Sequence, residues 1–181
     1  MTEILPLIEY GHYHFGENKV QEAFIKWSEV KTKNKDIKLH MIGRLQSNKV
    51  KQAVKIFDYI HSVDSIKLAK KIAEEQKKLN KKVKLFIQVN LNNEDQKSGI
   101  SIDLVSDLLE SCREYKLEVL GLMCLPPIDK APGEFFSMLK KKNDELQLNS
   151  LSMGMSNDYL EAINYNSNFL RIGSKIFGPR D

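Results

Sequence analysis

Seven short apolar runs alternate with amphipathic stretches along the chain. The runs have the length and composition of strands, and the stretches between them carry apolar residues at helical spacing. Because hairpin signals are missing, the repeated strand–helix units predict a parallel sheet covered by helices. The predicted strands are 13–15, 39–42, 59–62, 83–90, 119–124, 150–152 and 169–172, and the predicted helices are 2–10, 17–30, 47–56, 65–80, 102–115, 134–147, 157–165 and 174–177.

The shortness of the strands and the similar length of the units favour a barrel over an open doubly wound sheet. No G-x-G-x-x-G follows the first strand, which also disfavours the open sheet. A closed barrel needs eight strands, but seven are predicted, and a helix comes before the first of them. The sequence therefore predicts an α/β fold, a TIM (β/α)8-type barrel lacking the first strand, as a single domain over residues 1–181.

Length and composition are those of an ordinary globular protein with one core, since the chain has 181 residues, 41% of them hydrophobic. No apolar run is long enough to cross a bilayer, and the N-terminus has no signal-peptide pattern. We therefore expect a cytoplasmic protein.

Cys112 and Cys124 form no ligand pattern and are expected to be buried free thiols.

Lysines dominate the cationic side chains, and the formal net charge is +4. They cluster at 31–38, 67–84 and 140–142, on or beside predicted helices that also carry acids. Solvated helix faces account for this pattern best. Nucleic-acid binding stays as a minor alternative, because such a surface would contain more arginine and aromatic side chains.

Two Gly/Ser turns, at 152–156 and 171–178, follow the last two predicted strands. Each leads into a helix, whose first backbone N–H groups are free to bind an anion. Barrels often bind phosphate with the turns after strands seven and eight. The alternative for the first turn is an ordinary capped strand–helix connection. Arg171 offers a fixed donor to a ring nitrogen or an oxyanion, or else forms an ion pair at the bottom of the barrel.

Two earlier turns have the same pattern of strand, glycine, polar residues and helix. They are F-G-E-N (15–18) and I-G-R-L-Q-S-N (42–48), and Asn18 lies near the helix start in the first. Capping is the alternative role for Asn18. The histidines, at 12, 14, 40 and 61, have no metal-ligand spacing and are interpreted as residues lining the barrel.

Six motifs occur in order along the chain: F-G-E-N-x-V-Q-E (15–22), H-M-I-G-R-L-Q-S-N-K (40–49), I-Q-V-N-L-N-N-E-D-Q-K-S-G-I (87–100), G-L-M-C-L-P-P (121–127), S-M-G-M-S-N-D (152–158) and R-I-G-S-K-I-F-G-P-R-D (171–181). Together they resemble the YggS/PROSC family of pyridoxal 5′-phosphate (PLP) homeostasis proteins. The resemblance covers essentially the whole chain.

The resemblance implies a barrel like the N-terminal domain of alanine racemases, with PLP at its C-terminal mouth. It implies that the two Gly/Ser turns hold the phosphate, that Arg171 approaches the pyridine nitrogen and that Asn18 lies near the ring. The residues that it assigns to cofactor binding are Asn18, Ser152, Met153, Ser156, Arg171, Gly173 and Ser174.

Members of this family also attach PLP to a lysine in a V-S-K-like segment of their first strand. The sequence begins inside the helix that follows this strand, so neither the segment nor its lysine is found. Lys19, Lys49 and Lys97 match other family positions, whereas Lys175 stands where the family usually has a small residue. Two explanations stay open: a shortened sequence of an ordinary member, which we favour, or a degenerate member that binds PLP weakly or not at all.

The function that the resemblance implies is non-enzymatic binding of PLP, to buffer the cofactor or to deliver it to PLP-dependent apoenzymes. The enzyme alternative is an amino-acid racemase, which would need the lysine and a second domain with a catalytic tyrosine. An RNA-associated protein is a third class and depends on the lysine clusters alone. We expect no membrane partner, and a monomer unless open barrel edges associate.

Overall fold

The computed structural model describes residues 2–92 and 98–178. The helices are α1 (Leu5–Glu9), α2 (Val20–Lys33), α3 (Val50–Ile56), α4 (Ile66–Leu79), α5 (Val105–Glu114), α6 (Pro132–Glu145), α7 (Tyr159–Asn164) and α8 (Ser174–Phe177). The strands are β1 (His14–Glu17), β2 (Lys38–Met41), β3 (Tyr59–Val63), β4 (Lys84–Asn90), β5 (Ile100–Ser101), β6 (Glu118–Cys124), β7 (Ser150–Met155) and β8 (Phe169–Arg171). Lys97 and parts of two motifs, 93–97 and 179–181, lie outside the described residues.

All strand pairs are parallel, and the sheet runs in the order β1-β2-β3-β4-β6-β7-β8, with the two-residue β5 beside β4. The seven predicted strands and the parallel barrel-type sheet are confirmed. β5 was not predicted, because two residues are too few to produce a hydrophobic pattern. Among the described strands, β1 and β8 stand at the two ends of this order.

The sheet curls so far that its last strand packs against its early ones. Phe169 on β8 places its ring centroid 5.0 Å from that of Phe86 on β4 and 5.9 Å from that of His40 on β2. These contacts fill the interior of a nearly closed barrel. β4 is buried from residue 85 to 89 on both faces, as expected of a parallel strand between barrel interior and outer helices.

The helices cover the outside through apolar stripes at helical spacing. In α2 the buried residues Val20, Ala23 and Trp27 follow this spacing. The Trp27 ring packs 4.8 Å from Phe15 on β1, and its Nε1–H donates to Oε1 of Glu17 over 2.7 Å. Helix α2 is therefore fixed to the outer face of β1 by both packing and a hydrogen bond.

The lysine-rich segments lie on or beside helices, and several of their lysines pair with acids. Lys33 pairs with Glu29 at 2.6 Å and Lys140 pairs with Asp144 at 2.5 Å, both at i,i+4 spacing. Lys81 instead donates to the backbone carbonyls of Lys55 and Phe57, each over 2.9 Å. These contacts support the interpretation of the clusters as solvated helix faces.

Both cysteines are buried free thiols, as the sequence predicted. Burial raises the pKa of Cys112 to about 11 and that of Cys124 to about 12.

Across the described residues, no helix combines the length and the apolar character that crossing a membrane would require.

Candidate functional site

Arg171 ends β8 and is held in the barrel by three hydrogen bonds. Its Nη1 donates to the carbonyl oxygen and to Oγ of Ser152, both over 2.8 Å, and its Nη2 donates to the carbonyl oxygen of Cys124 over 2.8 Å. The register pairs Arg171 with Met155, at the end of β7, so the guanidinium lies toward the C-terminal end of the sheet. In barrels of this kind that end carries the functional sites.

The guanidinium of Arg171 keeps one buried donor without a partner. Its Nε–H is buried and makes no hydrogen bond within the part of the chain that the structure describes. In the same residues Arg171 forms no ion pair, so the alternative of an ion pair at the barrel bottom is not observed. Burial lowers the pKa of Arg171, but an arginine side chain stays charged at neutral pH. The site thus presents a fixed cation whose buried Nε–H has no partner among the described residues.

Ser156 joins the two Gly/Ser turns. Its Oγ accepts hydrogen bonds from the backbone N–H groups of Gly173, over 3.2 Å, and Lys175, over 3.4 Å. The hydroxyl therefore fixes the start of α8 against the end of β7. A Cβ placed on Gly173 would meet no atom within 4 Å, and Ser174 is exposed. The start of α8 is consequently open to a ligand.

The middle of the first turn is packed rather than open. Met153 is fully buried, and its carbonyl oxygen accepts a hydrogen bond from Oγ of Ser167 over 2.6 Å. Gly154 has φ +93°, and a Cβ there would lie 2.6 Å from Cβ of Ala162 on α7. The nearest constraint on Gly154 is therefore the packing of α7. The ligand role assigned to Met153 stays a prediction.

Asn18 follows β1, at the opposite end of the sheet order from Arg171. It is exposed and lines a surface pocket of about 270 Å³ together with Lys19, Arg44 and Lys49. Gly43 is needed there, since a Cβ at this position would overlap the backbone of Asn18. The structure thus places Asn18 at the C-terminal end of β1. Its proximity to a cofactor ring stays a prediction.

His40 and His61 are buried in the barrel interior, as predicted, whereas His12 is exposed and lies before β1. With His14, these two buried histidines also form a chain of side-chain contacts that the sequence did not reveal. Nδ1 of His14 lies 3.0 Å from Nε2 of His40, and Nδ1 of His40 lies 2.9 Å from Nε2 of His61. Nδ1 of His61 in turn lies 2.8 Å from Oγ of Ser152. One signal was present: each of the first three strands carries a histidine. Which of these side chains would meet depends on the inter-strand register.

Ser152 therefore has two partners on its hydroxyl, His61 and Arg171, and its side chain is fully buried. The sequence assigned it to cofactor binding, and this assignment stays a prediction. Its observed contacts are to groups of the protein.

No cluster of three or more histidine, cysteine or acidic side chains suited to a metal ion occurs among the described residues.

The whole chain, residues 1–181, matches the family model described as "Alanine racemase, N-terminal domain". An alanine racemase from Clostridium difficile, at 16% identity, aligns with 99% of this chain and 48% of its own length at a TM-score of 0.75, which indicates the shared fold. The chain is thus an α/β barrel of the alanine racemase N-terminal type, and the predicted fold class is confirmed.

Relatives of higher identity narrow this class. The pyridoxal phosphate homeostasis protein of Pasteurella multocida is 35% identical over 100% of this chain and 82% of its own length, and that of Synechocystis is 38% identical over 94% and 82%. PipY of Synechococcus elongatus, solved with PLP bound, is 34% identical over 98% of this chain and 87% of its own length, with a TM-score of 0.90. The chain belongs to the family of pyridoxal phosphate homeostasis proteins.

Proposed function

We propose that this chain binds PLP without catalysing a reaction, and that it buffers the cofactor or delivers it to apoenzymes. The observation that carries the proposal is the buried N–H of Arg171, which has no partner among the described residues. A buried donor without a partner costs about 1–3 kcal/mol, so a ligand that accepts from it is favoured. An unprotonated pyridine nitrogen is such an acceptor.

The anionic end of PLP fits the start of α8. Backbone N–H groups and a hydroxyl at a helix start suit a phosphate group. Ser174 is exposed there, and the space in front of Gly173 is open. The N–H groups of Gly173 and Lys175 already donate to Oγ of Ser156, which holds the turn in place and leaves Ser174 and the open space in front of Gly173 for the phosphate. We assign Gly173 and Ser174 to the phosphate and Ser156 to its support.

The environment of Arg171 suits a binder better than a catalyst. Bound PLP supplies an electron sink to enzymes that use it, and this property depends on protonation of its ring nitrogen. A charged guanidinium that donates to the nitrogen disfavours that protonation. Arg171 is itself fixed by Ser152 and by the carbonyl of Cys124, so it cannot move away to admit a proton.

The proposal includes non-covalent attachment by the residues of this chain. The lysine at the start of α8, Lys175, lies over the Tyr159 ring with its Nζ 4.6 Å from the ring centroid. Lys19 pairs with Glu22 at 2.7 Å. Both ammonium groups therefore have partners within the chain, and we propose that PLP is held by hydrogen bonds.

Titration of the purified chain with PLP, followed by visible absorbance, tests the function. Arg171→Gln should weaken binding about 10- to 100-fold, since a hydrogen bond from a charged donor is lost, and Ser174→Ala about fivefold. Arg113→Gln and Ser137→Ala, which alter exposed residues on α5 and α6, serve as matched controls. Unchanged affinity in both site variants would refute the assignment.

Borohydride reduction of the PLP-loaded chain tests the mode of attachment. We expect the absorbance to disappear after dialysis, with no mass added to the protein. A stable adduct on one lysine would overturn non-covalent binding while leaving PLP binding itself in place. Transfer of the bound PLP to a PLP-dependent apoenzyme, measured by the activity that the apoenzyme recovers, tests delivery.

A further inference from the structure

Four consecutive hydrogen-bond contacts cross the barrel interior from β1 to β8. They join His14, His40, His61, Ser152 and Arg171, over 3.0, 2.9, 2.8 and 2.8 Å in that order. Each residue lies on a different strand. His14 at one end is exposed, whereas the side chains of His40, His61 and Ser152 are buried. The contacts thus connect the guanidinium to an exposed edge of the sheet.

Aromatic packing orients the two central imidazole rings. The His40 ring stacks on Tyr59 at 4.2 Å with an 8° angle between the ring planes, and the His61 ring stacks on Phe86 at 4.4 Å and 15°. Stacking fixes the plane of each ring, so the ring nitrogens point along the chain of contacts. Packing and hydrogen bonding therefore act together at these two residues.

Both central imidazoles are neutral near pH 7. Burial lowers the pKa of His40 to about 3, and the neighbouring His14 acts in the same direction. Burial also lowers the pKa of His61 well below its ordinary value, assisted by His40 and by the charge of Arg171. A neutral imidazole has one N–H and one acceptor nitrogen, so each ring donates on one side and accepts on the other.

Arg171 sets the direction of these hydrogen bonds. A guanidinium only donates, so Oγ of Ser152 accepts from it, and the Ser152 hydroxyl donates to Nδ1 of His61. His61 must then carry its proton on Nε2 and donate to Nδ1 of His40, which likewise donates from Nε2 to Nδ1 of His14. The reverse direction would direct the His61 N–H at Ser152 and leave a buried hydroxyl proton without this acceptor, which is unfavourable.

We infer that His61 and Ser152, as parts of this directional chain, are positioning residues that hold Arg171 with its free N–H toward the cofactor. The inference rests on the proposed function. Because the Ser152 hydroxyl donates its proton to Nδ1 of His61, a lone pair of Oγ is left to accept from Nη1 of Arg171. The carbonyl oxygens of Ser152 and Cys124 also accept from the guanidinium, and within the described part of the chain Nε–H is its buried donor without a partner.

Nuclear magnetic resonance of the chain labelled with ¹⁵N-histidine tests the direction without any ligand. We expect neutral imidazoles protonated on Nε2 at both His40 and His61, with no titration between about pH 5 and pH 8. A proton on Nδ1 of His61, or an imidazolium at either residue in this range, would overturn the directional chain. This measurement does not involve PLP. It therefore distinguishes an error in the assigned hydrogen-bond direction from an error in the proposed function.

Variants of His61 test the effect on the cofactor. His61→Phe keeps an aromatic ring against Phe86 but removes both hydrogen bonds, and PLP binding should weaken about tenfold with a shifted absorbance maximum. His61→Gln restores an acceptor for the Ser152 hydroxyl and should recover part of the affinity and the original spectrum. His12→Phe, an exposed histidine outside the chain of side-chain contacts, is the control.

A His61→Phe protein whose PLP affinity and spectrum equal those of the unaltered chain refutes the positioning role. If His61→Phe does not fold, Ser152→Ala replaces it, since that change removes the acceptor of Arg171 while leaving the imidazoles in place, and the same weaker binding and shifted maximum are expected. If the unaltered chain binds no PLP, the positioning role falls with the proposed function, and the tautomer measurement still decides the direction of the hydrogen bonds.

Discussion

Nδ1 of His61 and Oγ of Ser152 lie 2.8 Å apart, although 91 residues separate them in the chain. They belong to β3 and β7, which are not neighbours in the sheet, so the contact spans the barrel interior. It links the histidines of the early strands to Arg171 on the last one. A polar contact across the interior makes these residues sensitive to pH and to substitution, because nothing in a buried site replaces a lost partner.

The buried histidines should make the protein less stable in mild acid. His40 and His61 stay neutral in the folded state because their pKa values are lowered, whereas in the unfolded chain both take up protons below about pH 6.5. The unfolded state then binds more protons, so the free energy of unfolding decreases as the pH is lowered, with a slope that approaches about 1.4 kcal/mol per pH unit for each histidine. Urea titrations between about pH 6.5 and pH 4.5, above the range where most carboxylates titrate, measure this slope. A flat profile would contradict it.

Asn143 on α6 should be a large contributor to stability. It is buried, its Oδ1 accepts from the backbone N–H of Leu122 over 3.1 Å, and its Nδ2–H donates to the carbonyl of Leu148 over 2.7 Å. Asn143→Ala leaves both backbone groups without these partners and should lower the free energy of unfolding by about 2–4 kcal/mol. Urea denaturation measures the loss, with exposed Asn164→Ala as the control. Equal stability of the two variants would show that the backbone groups find other partners.

Gly43→Ala and Gly173→Ala form a matched pair. A Cβ at Gly43 would overlap the backbone of Asn18, whereas a Cβ at Gly173 would meet nothing within 4 Å. Gly43→Ala should therefore destabilise the fold by about 1–3 kcal/mol, and Gly173→Ala should stay within about 0.5 kcal/mol of the unaltered chain. Thermal unfolding measures both. The Gly173 variant should still weaken PLP binding, since the methyl group would enter the space assigned to the phosphate, and unaltered affinity would argue against that assignment.

The two thiols should be unreactive in the folded protein. Burial raises the pKa of Cys112 to about 11 and that of Cys124 to about 12, so almost no thiolate is present near pH 8. Titration with a thiol reagent should detect no fast-reacting group in native buffer and two groups in concentrated urea. Fast modification of the native protein, with its unfolding transition unchanged, would contradict this.

Local pattern was enough to predict the α-helices and, apart from β5, the strands that the structure describes. Apolar residues at period two or at helical spacing report directly which segments form strands or helices. The parallel barrel followed because strand–helix repeats allow few topologies. The turns at 152–156 and 171–178 were recognisable because glycine and serine at a strand end indicate an open helix start. β5 was missed because its two residues form no pattern.

The sequence by itself determined the fold class, the position of the two Gly/Ser turns and the presence of Arg171 beside them, because these depend on residues close together in the chain. Tertiary structure alone decided that the hydroxyl of Ser152 bonds to His61 and Arg171, and that Gly154 accommodates α7. It also decided which donor of the guanidinium remains without a partner among the described residues. These outcomes depend on strand register and on the curl of the sheet, which bring side chains together across the barrel and which hydrophobic periodicity does not encode.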